Sequence, residues 1–173
     1  MGQAVTRTNP SARKPVTAPR PAPAPAAPPA LGSVAISIAD VPPPARAEIL
    51  TRAEALLGVP YVWGGDSTRG LDCSSFLSRT WNVPRQTTDT LARVADPITK
   101  DQLRPGDALN LPTWRDPERY GHVRLFDRWA NPEKTRVWVY EETADTGMAV
   151  HRVIDYDARY QPMRARHLAA GSA

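Results

Sequence analysis

Eight prolines and seven alanines fall within residues 10–30, and three more prolines stand together at 42–44. Such a stretch has few side chains to bury and favours extended polyproline geometry. It confines the packed part of the chain to residues 45–173 and leaves residues 1–44 as an expected linker. What remains is enough for one sizeable core and too little for two. The linker also distorts the charge balance. The chain holds 22 basic and 18 acidic residues, net +4. Arg7, Arg13, Lys14 and Arg20 stand against Asp40 in the linker, so the packable part is close to neutral. A basic face for nucleic acid is therefore not expected.

The single cysteine, Cys73, excludes an intramolecular disulfide, a CxxC redox pair and zinc-finger spacing. No run approaches the roughly 20 apolar residues of a membrane-spanning helix. Residues 31–41 (LGSVAISIADV) are mildly apolar but broken by serines, and no clean secretory signal precedes them.

Helical periodicity appears first. Ile49, Leu50, Ala53, Leu56 and Leu57 share one face, which predicts a helix over 45–57 stopped by Gly58 and Pro60. Residues 61–63 read as extended and 64–70 as a turn-rich loop. A second helix is expected from Cys73 to about Trp81, N-capped by Asp72. A short third helix is expected over 88–95. Strand patterns follow at 107–111, 122–129, 136–141 and 149–154, with residues 122–141 forming a hairpin around Asn131–Lys134. Residues 166–173 read as frayed. Helices followed by antiparallel strands predict an α+β fold.

Cys73 is a candidate nucleophile. It follows a glycine-rich loop and opens a helix, where free N–H groups are expected to lower a thiol's pKa. A nucleophilic thiol needs an imidazole. His122 opens a strong strand directly after Gly121 and is the candidate base. His151 reads as a solvated strand-face residue and His167 as a surface residue. Glu141 and Glu142 lie at the far end of the hairpin, and strand alternation lets one of them reach His122. A one-residue slip in register exchanges the two. The isolated histidines lack metal-ligand spacing, and Gly64–Gly65 lacks the rest of a phosphate loop, so no metal or cofactor is expected.

Residues 60–77 (PYVWGGDSTRGLDCSSFL) resemble the nucleophile region of the NlpC/p60 peptidases. Residues 103–107 (LRPGD) and 122–126 (HVRLF) resemble that family's Pro-Gly-Asp turn and histidine strand, in the same order. The resemblance spans about residues 49–153. It implies a papain-like domain over 45–173, with N-terminal helices packed on an antiparallel sheet. It also implies Cys73 as nucleophile, His122 as base and Tyr61 beside the nucleophile. The third polar residue of many members is a histidine six residues before a glycine. Glu141 stands six before Gly147, so the resemblance selects Glu141 over Glu142. The implied activity is hydrolysis of an amide in peptidoglycan stem peptides, between γ-D-glutamate and a diamino acid, through a thioester and without a cofactor. The implied partner is peptidoglycan or its muropeptides, which places the protein in the secreted or wall-associated class. An inactive wall-binding module and a thioester-forming acyltransferase are the alternatives. Three positions depart from the family pattern: Arg124 and Ser75 replace common glycines, and Glu141 replaces a histidine.

Overall fold

The computed structural model describes residues 46–168. The expected linker lies outside the described residues. Helix α1 spans Arg46–Ala55, and a short hairpin pairs β1 (Asp66–Ser67) with β2 (Gly70–Leu71). Helix α2 spans Cys73–Thr80. The remaining strands are β3 (Ala95–Pro97), β4 (Ala108–Leu111), β5 (His122–Trp129), β6 (Arg136–Thr143), β7 (Met148–Asp155) and β8 (Gln161–Ala165). These six form one sheet in the order β3-β8-β4-β5-β6-β7, every pair antiparallel. Among the described residues, no helix is long and apolar enough to cross a membrane.

Alternation along the strands divides the core into two clusters. Val123, Leu125, Tyr140 and Ala149 pack with Ile49 and Ala53 of α1 and with Phe76, Leu77 and Trp81 of the α2 region. Leu109, Leu111, Phe126, Val137, Val139 and Tyr160 form a second cluster on the other side of the sheet. One turn locks the helices to the strands. Gly106 takes φ +88° in the Pro-Gly turn, and its carbonyl accepts the Trp81 indole N–H at 2.8 Å. The next residue, Asp107, is fully buried. Its carboxylate accepts from Arg46 of α1 at 2.9 Å and from Arg164 of β8 at 2.8 Å.

Helix α1 ends earlier than its periodicity suggests. The expected third helix is a single 3-10 turn, Leu91–Arg93, followed by β3. Pro97 cannot donate to a helix, while Ala95–Pro97 pairs with the equally unforeseen β8. Both strands carry a proline and pair on sequence-distant partners, so period-2 patterning did not reveal them. Arg166 is not frayed. Its N–H donates to the Val94 carbonyl at 2.9 Å, and its side chain pairs with Asp96.

The β5–β6 hairpin changes register once. Trp129 faces Val137 and Arg128 faces Trp138, but Phe126 faces Val139 and Leu125 faces Tyr140. Asp127 is the extra residue of this β-bulge. Continuing the shifted register puts Arg124 across from Glu141 and His122 one diagonal step further.

Candidate active site

The start of α2 is tightly capped. The Asp72 carboxylate accepts the Ser75 N–H at 2.8 Å, and the Ser75 hydroxyl accepts the Asp72 N–H at 2.9 Å. Ser75 thus completes a capping box that glycine could not make. Arg85 pairs with the other side of Asp72 at 2.6 Å. Burial works against the Asp72 charge, yet the Ser75 N–H and Arg85 hold its pKa below the usual range.

Cys73 is the first residue of this helix and is only partly exposed. With Tyr61 and His122 it lines a cleft of about 680 Å³. Burial pushes the Cys73 thiol up to about 11, and the Asp72 charge raises it further against the pull of the Val123, Ser74 and Cys73 N–H groups. This corrects the sequence expectation of a lowered value. The anion that caps the helix stands next to the thiol and opposes the free N–H groups. The thiol is therefore protonated near neutral pH and needs a base to release its proton.

His122 is positioned by Gly121, whose φ of +68° turns the chain into β5; a Cβ there would meet the Thr88 hydroxyl at 2.6 Å. The His122 Nε2–H donates to Glu141 at 2.8 Å. That leaves Nδ1 as the ring nitrogen free for the thiol proton. Glu141 is fully buried and accepts two more charged donors: Arg124 Nε at 2.8 Å and Arg152 Nε at 2.7 Å. Burial would raise its pKa, but the His122 hydrogen bond and the Arg124 charge hold it far below the usual carboxylate range. Tyr61 is fixed by its N–H to the Gly147 carbonyl at 2.9 Å. Burial and the charges of Cys73, Asp72 and Glu142 raise its hydroxyl pKa, so it remains a proton donor.

Tyr61, Cys73 and His122 line the cleft, and Glu141 lies on the face of His122, which it bonds from outside the cleft lining. Glu142 lies on the opposite face and is also fully buried, not solvated. Neither of its carboxylate oxygens has a hydrogen-bond partner among the described residues. His151 is likewise not simply solvated: it bonds Asp127 at 2.9 Å and stacks on Tyr140. Arg152 went unnoticed in the sequence, because its proximity to Glu141 depends on the β6–β7 register.

Comparison with known proteins gives a consistent picture. The NlpC/P60 family profile matches residues 58–168. A probable endopeptidase from Haemophilus influenzae is 36% identical over 75 residues, covering 40% of this chain and 45% of that protein. A gamma-D-glutamyl-L-lysine dipeptidyl-peptidase from Bacillus cereus is 31% identical over 75 residues, covering 40% of this chain and 22% of that protein. The chain thus spans less than half the length of these curated relatives. Among solved structures, an NlpC/P60 family protein from Bacillus cereus superposes with a TM-score of 0.57 at 21% identity, over 75% of this chain and 42% of that one. The peptidoglycan hydrolase RipB from Mycobacterium tuberculosis gives 0.53 at 20% identity, over 72% and 65%. At these identities the structures speak to the fold, an α+β arrangement of helices on an antiparallel sheet.

Proposed function

The chain belongs to the NlpC/P60 family, and on that premise we propose that it is a cysteine hydrolase that cleaves an amide bond in peptidoglycan stem peptides. The observation that carries the reading is the His122–Glu141 hydrogen bond of 2.8 Å at the wall of the cleft that Cys73 opens into. Cys73 is the nucleophile, His122 the proton carrier, Glu141 the residue that orients the imidazole, and Tyr61 a donor to the oxyanion.

Because the thiol rests protonated, His122 Nδ1 takes its proton as sulfur attacks the amide carbonyl. The carbonyl oxygen becomes an oxyanion, met by the Cys73 backbone N–H and the Tyr61 hydroxyl. Glu141 stabilises the imidazolium that forms. The imidazolium returns its proton to the leaving nitrogen, the C–N bond breaks, and a thioester remains. Water then attacks the thioester while His122 accepts its proton, and the thiol is restored. The bond between γ-D-glutamate and a diamino acid is the proposed target, supported by a relative 31% identical over 75 residues that is named for the γ-D-glutamyl-L-lysine bond. A wall substrate places the work at the cell wall.

The test is digestion of purified muropeptides by the full chain, with mass analysis of the products. The expected result is a pair of fragments summing to the substrate plus one water, absent with Cys73→Ala. Intact muropeptides after incubation with folded protein overturn the reading, and fragments joined to an added amine in place of water identify an acyltransferase.

A further inference from the structure

Glu141 has more cationic partners than its charge requires. Arg124 or Arg152 alone would neutralise it, and both are present. Each is held through Nε, at 2.8 Å and 2.7 Å. The terminal guanidinium nitrogens of both have no hydrogen-bond partner among the described residues. The Arg124 plane is further fixed by stacking at 4.3 Å on the buried Tyr160 ring. Two oriented guanidinium groups with unengaged N–H donors are suited to an anion, and their fork geometry matches a carboxylate.

Their location gives that anion a place in the reaction. A second cavity of about 400 Å³ is lined by Arg124, Arg152 and Tyr160. His122 lines both this cavity and the one that holds Cys73, together with Tyr120, Gly121 and Thr143. The order along the surface is therefore nucleophile, proton carrier, arginine pair. His122 must protonate the leaving nitrogen, so the part of the substrate beyond His122 is the leaving amine. The carboxylates that border the second cavity do not cancel the pair. Asp116 accepts the backbone N–H groups of Glu118, Tyr120 and Gly121. Glu118 and Asp145 stand on the exposed rim shared with the first cavity.

We propose that Arg124 and Arg152, anchored back to back on Glu141, form a subsite for a carboxylate of the substrate's leaving amino acid. The inference rests on the hydrolase reading above and specifies which half of the substrate is recognised by charge. It also accounts for a bulky arginine at position 124, where the family pattern has glycine. A diamino acid can present such a carboxylate from its main chain or from its side chain. Both would meet the same pair of guanidinium groups.

The probes are three stem peptides that differ only in the leaving residue: 2,6-diaminopimelate, lysine and lysine amide. Wild-type kcat/KM is expected to fall about 10–100-fold at the step that removes the recognised carboxylate, the range for a lost charged hydrogen-bond pair. A fall between the first two identifies the side-chain carboxylate, and a fall between the last two the main-chain one. Arg152→Gln should flatten that step to within about threefold. Arg124→Lys keeps a cation beside Glu141, guards against misfolding, and should flatten the step in part, since lysine lacks the fork. The same peptides titrated calorimetrically into the Cys73→Ala chain read binding without turnover. Turnover of all three peptides at similar rates by the wild type overturns the subsite and leaves the hydrolase reading standing. A binding step abolished by Arg152→Gln, without turnover in the wild type, upholds the subsite and overturns the hydrolase reading. A step that survives Arg152→Gln in both measurements overturns the subsite.

Discussion

Glu141 and Glu142 are neighbours on one strand, both fully buried, and they meet opposite fates. Glu141 accepts from His122, Arg124 and Arg152 and is held ionised. Glu142 faces the helix side of the sheet without a hydrogen-bond partner, and burial, aided by the Asp72 charge, pushes its pKa up to about 7. Burial is the same for both. The difference lies in which face of the sheet supplies compensating charge.

The largest effect is expected next to the bulge, where β5 faces β6. Inserting one residue between Arg124 and Leu125 would move Arg124 from Glu141 to Glu142 and bring Glu142, not Glu141, to the face of His122. Turnover should fall on the order of 10⁴-fold or more, the scale of a misoriented triad histidine. Circular dichroism would check that the sheet persists. A folded insertion variant with wild-type turnover sinks the register account.

Glu141→Gln keeps the shape and removes the charge. It should lower kcat about 10–1000-fold with a smaller change in KM, because the carboxylate matters most once the imidazolium forms. Steady-state kinetics on one muropeptide decide this. Glu142→Gln should leave kcat within a few fold, because it does not face His122. If Glu142→Gln proves the more damaging change, the assignment of faces is reversed.

The thiol offers a smaller test on the helix side. With a pKa pushed up to about 11, Cys73 should react with iodoacetamide at pH 7 about 100-fold more slowly than a free cysteine of pKa near 8.5. The rate should climb steadily through pH 9. A plateau below pH 7 would show that an ion pair with His122 already exists at rest.

The smallest effect is on stability, and the two glutamates should differ in sign. Between pH 4.5 and about 7, the folded chain holds a proton on Glu142 that the unfolded chain has released. Its contribution therefore falls as pH rises through that window. Glu141 does the reverse. Its folded pKa lies below 4.5, so its contribution is present above that pH and is lost on acidification. Thermal melts at pH 5 and 8 should show Glu142→Leu raising Tm by about 2–6 °C at pH 8, and by less at pH 5. A Glu142→Leu variant with the same Tm shift at both values removes the titration argument.

Much of the site was legible because it is local. The Asp72–Cys73 helix start, the Gly121–His122 turn into a strand and the Pro105–Gly106 turn each depend on a few adjacent residues, and all appear in the fold. Pairing between distant segments was less legible. Strands β3 and β8 depend on each other, and neither has a period-2 pattern of its own. Arg152 reaches Glu141 only through the alignment of β6 with β7. The raised pKa of Cys73 was missed because its main cause, burial of the sulfur, is a tertiary property, to which the Asp72 charge beside it adds.

Sequence alone carried the fold class and the family, and it singled out Cys73 and His122 as the candidate nucleophile and base. It also narrowed the third residue to two adjacent carboxylates and, through the spacing to Gly147, favoured Glu141. Only the tertiary structure decided between their faces. One extra residue at Asp127 reverses the parity of β5 against β6, which directs Glu141 toward His122 and the two arginines and leaves Glu142 against the helices. Strand periodicity has a step of two, so a single bulge exchanges the faces of every residue beyond it. A bulge is a property of two paired strands, and no pattern within either strand alone reveals it.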